Sequence, residues 1–260
     1  MQIVDMPKIG FGTYKLRNHA IKNVLPHVIN AKYTMIDTAE IYKNQAEIGE
    51  FIKSCISRTS IWITTKVSFA AMKEGEKAII KGIQKTFTDL QTDYVDLYLI
   101  HAPIKKTWLF VWHTLRDLQK AGKIRFVGVS NFTYDILKEF IELVGESEAK
   151  YIYCNQIEFN PWLNRKDLIE LCFSNNIRVC AYGSLYKSND TISSIAHTYK
   201  KTVAQILLRW AQLNKIHVIP TSDNPVFINE NIDLAFDINI EDMDYMNNLH
   251  DGSSLYPKYL

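Results

Sequence analysis

Eight short apolar runs alternate with longer amphipathic stretches, and this alternation limits the folds open to the chain more than any other feature. The runs lie at residues 8–13, 33–37, 61–66, 94–101, 125–130, 151–156, 177–182 and 216–220. Between them, residues 21–31, 45–57, 76–90, 108–121, 134–143, 165–175 and 202–213 carry apolar side chains at three- and four-residue intervals. The short runs have strand length, and the longer stretches have helical spacing. In the last of these, Leu207, Leu208 and Ala211 mark one face and Asn214 ends the helix, while Gly122 ends the helix before the fifth run. Strands joined through helices run parallel, because a parallel connection needs a long crossover. Eight such units in about 250 residues fit a closed (β/α)8 TIM barrel better than an open sheet. The reading is therefore one α/β barrel domain over residues 1–260. An open doubly wound sheet would favour a glycine-rich turn after its first strand. Gly10-Phe11-Gly12-Thr13 leads to no G-x-G-x-x-G, so a Rossmann-type dinucleotide site is not expected.

Composition narrows the function classes. A hydrophobic share of 47% is enough to build a core without disulfide staples. The four cysteines, Cys55, Cys154, Cys172 and Cys180, show no C-x-x-C spacing, and Cys154 and Cys180 fall inside apolar runs. They read as reduced thiols in a cytoplasmic protein. A net charge of +2 is too small to imply a nucleic-acid or membrane partner. No basic segment followed by an apolar run opens the chain, and no apolar stretch approaches the ~18 residues of a membrane span.

In a barrel of this kind the chemistry sits at the carboxyl ends of the strands. The second run ends in Asp37, the third in Lys66, the fourth in His101, the fifth in Ser130 and Asn131, the sixth in Gln156 and the seventh in Tyr182. The eighth leads into Pro220-Thr221-Ser222. Any one of these is explained by a capped loop; together they place Asp, Lys, His, Asn, Gln and Tyr around one mouth, and an active site is the reading. Lys66 and Asp37 can pair, which keeps the lysine cationic in a shielded site. Tyr42 lies five residues past Asp37, in the loop above. A nearby ammonium favours the phenolate, so Lys66 would make Tyr42 a stronger acid, suited to a developing alkoxide, with His101 placing the substrate oxygen. The seven histidines lack metal-ligand spacing, so no metal is expected. A G-x-S-x-G nucleophile turn and a carboxylate pair for glycoside chemistry are both missing.

These residues resemble the aldo-keto reductase family over nearly the whole chain. Pro7-Lys8-Ile9-Gly10-Phe11-Gly12-Thr13-Tyr14 resembles the first strand, and Ile36-Asp37-Thr38-Ala39-Glu40-Ile41-Tyr42-Lys43-Asn44 the segment of the catalytic Asp and Tyr. Thr64-Thr65-Lys66 and Asp96-Leu97-Tyr98-Leu99-Ile100-His101-Ala102-Pro103 resemble the Lys and His strands. The most specific likeness is Gly122-Lys123-Ile124-Arg125-Phe126-Val127-Gly128-Val129-Ser130-Asn131-Phe132. Asn155-Gln156-Ile157-Glu158 and Ala204-Gln205-Ile206-Leu207-Leu208-Arg209-Trp210 complete the set. The resemblance implies NAD(P)H-dependent reduction of an aldehyde or ketone, with Tyr42 the general acid, Lys66 and Asp37 tuning it, and His101 orienting the carbonyl. It implies that Gly12, Thr13 and Asp37 lie against the dinucleotide. Ser130, Asn131 and Gln156 would hold the nicotinamide carboxamide, and Tyr182 would stack on its ring. Gly183, Ser184 and Leu185 would follow the pyrophosphate. A monomer acting on a small carbonyl compound is the family expectation.

The departures carry information. The family usually reads Ile-Pro-Lys-Ser after the eighth strand, with an Arg six residues past the Lys, and both cations hold the 2′-phosphate of NADP. Here Thr221 and Phe227 fall at those positions, with Ser222 and Asp223 between, while Glu230 and Asn231 keep the adenine contacts. Without those cations the 2′-phosphate loses its charge-assisted hydrogen bonds. A carboxylate can instead accept from a bare ribose hydroxyl. NADPH remains the family cofactor, and the substitutions predict a weakened preference for it and open the site to NADH. The residue before Tyr33, often Gly, is Lys32, and Gln45 stands where a Glu is common. The position past the Lys strand, often Trp, is Ser68, and Ala102 replaces a frequent aromatic. Only eight residues follow Gly252. Trimmed walls predict an open, less discriminating pocket, with Tyr14 as a wall and Trp112 in the core. The alternative to a working reductase is a dinucleotide-binding regulatory protein of the same fold with little turnover.

Overall fold

The chain is described here by a computed structural model covering residues 5–257; residues 1–4 and the last three of the tail lie outside the described residues. In chain order the elements are β1 (Phe11–Gly12), α1 (His19–Asn30), β2 (Met35–Asp37), α2 (Gln45–Cys55), β3 (Trp62–Val67), α3 (Phe69–Glu74) and α4 (Glu76–Leu90). Then come β4 (Val95–Ile100), α5 (Trp108–Lys120), β5 (Ile124–Ser130), α6 (Tyr134–Val144), α7 (Glu146–Ala149), β6 (Ile152–Glu158) and α8 (Lys166–Ser174). The chain continues through β7 (Arg178–Tyr182), α9 (Asp190–Tyr199), α10 (Val203–Leu213), β8 (His217–Val218), α11 (Pro225–Ile232) and α12 (Ile240–Asn247). The eight strands pair in sequence order, each parallel to the next. The ring closes between its last and first strands. Val218 N donates to Lys8 O at 3.0 Å, Gly10 N to Val218 O at 2.9 Å and Gly12 N to Pro220 O at 2.9 Å. Gly12 permits this approach, since a Cβ there would lie 2.6 Å from both Ile219 O and Thr221 Oγ1.

The expected runs 8–13 and 216–220 shorten to Phe11–Gly12 and His217–Val218. Their outer residues are joined by the single bridge Ile9–Val218 and by loop hydrogen bonds rather than by a continuous ladder. Alternation along each strand sorts side chains into two cores. Met35, Trp62, Leu97, Leu99, Cys154 and Cys180 pack inside the barrel. Ile36, Ile63, Tyr98, Ile100, Val127 and Val179 face the helix layer. The inward positions are filled by apolar side chains below and by polar ones at the carboxyl ends, so the barrel is a plugged cylinder with its chemistry on top.

Local signals set the helix ends. Thr202 and Gln205 form a reciprocal capping box on α10, and Asn224 caps α11 ahead of Pro225. After α5, Gly122 takes φ +74 while Lys123 N bonds back to Leu118 O at 2.9 Å, which gives the last carbonyls their partners.

Candidate active site

Asp37, Lys66 and Gln156 lie on inward-facing rows near the carboxyl ends of β2, β3 and β6, and their side chains meet. Lys66 Nζ donates to Asp37 Oδ1 at 2.5 Å and to Thr38 O at 2.9 Å, and it lies 3.5 Å from the Tyr42 hydroxyl. Gln156 Nε2 donates to the other Asp37 oxygen at 2.7 Å. The side chains of Lys66 and Asp37 are 1% and 3% exposed, so the ion pair stands out of bulk water. Tyr42 closes a one-turn 3-10 helix, Glu40–Tyr42, that returns the chain over the barrel. Its ring lies 6.0 Å from that of His101, edge to face, and 5.2 Å from that of Tyr14. Asp37, Tyr42, Lys66 and His101 are thus brought together.

A cavity of about 510 Å³ opens above this cluster. Its lining includes Gly12, Tyr14, Asp37, Tyr42, His101, Ser130, Asn131, Gln156, Tyr182, Gly183, Ser184, Leu185 and Thr221. Three of the polar side chains are already hydrogen-bonded, two of them to backbone carbonyls. Ser130 Oγ donates to Gln156 O at 2.9 Å, Asn131 Nδ2 to His101 O at 2.9 Å, and the Tyr182 hydroxyl to Asn131 Oδ1 at 2.6 Å. The Ser184 hydroxyl differs: it lines the cavity, is buried, and has no hydrogen-bond partner among the described residues. A buried polar atom of this kind calls for a ligand group. Thr13 is not in the lining; its hydroxyl donates to Asp37 O at 2.8 Å and supports the floor from below. Ser222, Asp223, Phe227, Glu230 and Asn231 also lie off this cavity, along the loop and helix that follow β8. Phe227 is 52% exposed, and residues 219–231 include no Lys or Arg.

Several walls were not legible in the sequence. Ser68 caps α3, and Phe69, one residue on, lines the cavity with its ring 5.6 Å from that of His101. The aromatic sought at position 68 is thus supplied at 69. Trp108 packs on Phe132 and Phe140, and Trp112 is fully buried, as expected. Leu255 and Tyr256 bring the tail into the lining. Glu158, 1% exposed at the top of β6, fastens it: Ser254 Oγ, Leu255 N and Tyr256 N donate to its carboxylate at 2.7, 2.7 and 3.2 Å. Glu158 stands in sequence two residues past the sixth run, with no signal for this role, and its partners lie almost 100 positions away.

Among the described residues no group of three or more His, Cys, Asp or Glu gathers as a metal site. Among the described residues no helix is long and apolar enough to cross a membrane. All four cysteines are free thiols, three of them buried, and burial pushes the Cys172 thiol up to about 12.

A model of the Aldo/keto reductase family matches residues 8–188. The chain is 37% identical to a glyoxal reductase of Bacillus subtilis (strain 168), an alignment covering 98% of this chain and 92% of that one. It is 33% identical to the methylglyoxal reductase DkgB of Yersinia pestis over 88% of this chain and 87% of that one. Among solved structures, an aldo/keto reductase from Brucella melitensis superposes with a TM-score of 0.87 at 34% identity, covering 94% of this chain and 95% of the other.

Proposed function

The chain belongs to the aldo/keto reductase family, and on that premise we propose that it reduces small aldehydes or ketones to alcohols with NAD(P)H, Tyr42 giving the proton. The carrying observation is the Tyr42 hydroxyl 3.5 Å from an ammonium that is itself held by a buried carboxylate. An ammonium at that range stabilises negative charge on the phenol oxygen as the proton leaves. As negative charge grows on the substrate oxygen, Tyr42 passes its proton to that oxygen and Lys66 shields the charge left behind. His101, edge-on to Tyr42, limits where the oxygen can sit. In oxidation the same phenolate takes the proton back. The dinucleotide, when bound, supplies the hydride that reaches the carbonyl carbon.

The residues of the cavity fit a dinucleotide. The partnerless Ser184 hydroxyl and the backbone of Gly183–Leu185 suit a pyrophosphate, and the Ser130, Asn131 and Gln156 layer beneath Tyr182 suits a nicotinamide and its carboxamide. Thr221, Asp223 and Phe227 in place of two cations support use of NADH beside NADPH. The names of the glyoxal and methylglyoxal reductases point to short dicarbonyl compounds as first substrates to try.

The test is consumption of NADPH and of NADH with a panel of aldehydes and dicarbonyls, run beside direct titration of both dinucleotides. Binding with turnover supports the reading. Binding without turnover across the panel identifies a dinucleotide-binding regulator instead, and absence of both rejects the site.

A further inference from the structure

Among the described residues lining the cavity, only Arg17 and Asp37 carry a formal charge. The charge of Asp37 is matched by Lys66. Arg17 is exposed, and no carboxylate among the described residues pairs with it. The loop that presents it is tied down through its backbone. Buried Asn44, two residues past Tyr42, donates through Nδ2 to Thr13 O at 2.9 Å and to Leu16 O at 2.8 Å. Its Oδ1 accepts from Thr38 Oγ1 at 2.7 Å. Lys15 and Asn18, at φ +69 and +50, turn the chain on either side of Arg17's neighbour Leu16, which is buried. One asparagine therefore ties the loop of Tyr14 and Arg17 to the turn of Tyr42. The backbone that carries Arg17 is thereby tied to the turn of the proton donor.

The surroundings leave the charge of Arg17 uncompensated. Lys15 Nζ stands 5.6 Å over the Tyr14 ring, which adds positive charge on the same side. Across the mouth, burial and the neighbouring Tyr14 phenol push Tyr256 up to about 12, so this phenol stays neutral. The Glu158 carboxylate is spent on the tail. A guanidinium at the rim of a cleft with no anion facing it suits a carboxylate, which it can grip with two parallel hydrogen bonds.

We propose that Arg17 forms an anion subsite of the substrate pocket, so that the enzyme favours carbonyl compounds bearing a carboxylate at the end remote from the carbonyl. The proposal rests on the reading of the site as a carbonyl reductase and names its substrate class. The carboxylate takes no part in the reaction and keeps its charge while the carbonyl gains its hydride and proton.

The test compares 4-carboxybenzaldehyde with its neutral isostere 4-nitrobenzaldehyde, in the wild type and in Arg17→Gln. The intrinsic reactivity of each aldehyde cancels in the ratio of the two proteins. The kcat/KM preference for the anionic aldehyde is expected to fall about tenfold in the variant, and in the wild type to weaken as salt is added. An unchanged preference overturns the proposal. So does an equal loss with both aldehydes accompanied by a raised KM for the dinucleotide, which would give Arg17 to a cofactor phosphate. If the wild type reduces neither aldehyde, the reductase reading fails separately, and the subsite is then read by titrating 4-(hydroxymethyl)benzoate. Weaker binding to Arg17→Gln sustains the subsite, and equal binding removes it.

Discussion

Lys66 is bound to the chemistry and to the stability of the barrel by the same contacts. Its ammonium is buried with Asp37 and satisfied by Asp37, Thr38 and Tyr42. Removing one member of such a pair strands the other charge out of water. Lys66→Met is expected to abolish turnover and to lower unfolding free energy by about 3–5 kcal/mol in urea titration. Combining it with Asp37→Asn should recover part of the stability and none of the activity. A single variant as stable as the wild type would contradict the buried pair. Past β8, Thr221 at the cavity edge and Phe227 beyond it are exposed, and no Lys or Arg lies in residues 219–231. Wild-type affinities for NADPH and NADH should lie within about tenfold, and Thr221→Lys with Phe227→Arg should shift the ratio toward NADPH by about tenfold or more. A wild type already binding NADPH about a hundredfold tighter would reject this account of the segment.

Among the elements, the short turn Glu40–Tyr42 has the most unusual support. The Glu40 carboxylate accepts from the Tyr98 hydroxyl at 2.6 Å and from Ser68 N at 3.0 Å, linking the turn to β4 and to the start of α3. Burial pushes this carboxyl above its ordinary value, against the lowering effect of Tyr98, Ser68 and Thr86. The folded state therefore holds the proton more tightly than the unfolded one, so this group contributes most to stability at acid pH. That contribution is lost as pH rises from the ordinary carboxylate range through the raised value. In Glu40→Gln the amide oxygen can face Ser68 N, the amide nitrogen can donate to Tyr98, and Tyr98 can donate to Thr86, which lies 3.1 Å away. The variant should match the wild type at acid pH, gain on it toward neutrality, and keep its activity; the gap between the two melting curves across pH reads this. A gap that widens toward acid would reverse the sign.

These supports explain what the sequence could reveal. Alternation and spacing depend on local order, so β3, β4 and β5 fell within about two residues of their runs. The polar ends Asp37, Lys66, His101, Asn131 and Gln156 were legible for the same reason. Helix α9, with Ser and Thr at many of its positions, lacked a strong apolar stripe. Lys32 sits at φ +70, a conformation that glycine takes without strain, and only the resemblance had marked the position. Phe69, Arg17, Tyr256 and the Glu158 clasp depend on contacts between distant parts of the chain.

At the scale of the molecule, the site exists only when the barrel is closed, because its polar layer draws on six consecutive strands and the loops above them. Geometry at Tyr42 is thus held by the whole ring. The central claim is that this ring aims one phenol, backed by one ammonium, at a carbonyl beside a nicotinamide. The most direct measurement is single-turnover reduction of an aldehyde accepted by the wild type, with Tyr42→Phe saturated with reduced dinucleotide. The account predicts that dinucleotide affinity is kept while the rate falls by about a hundred- to ten-thousandfold. A variant that binds the dinucleotide and reduces the aldehyde at the wild-type rate would contradict it.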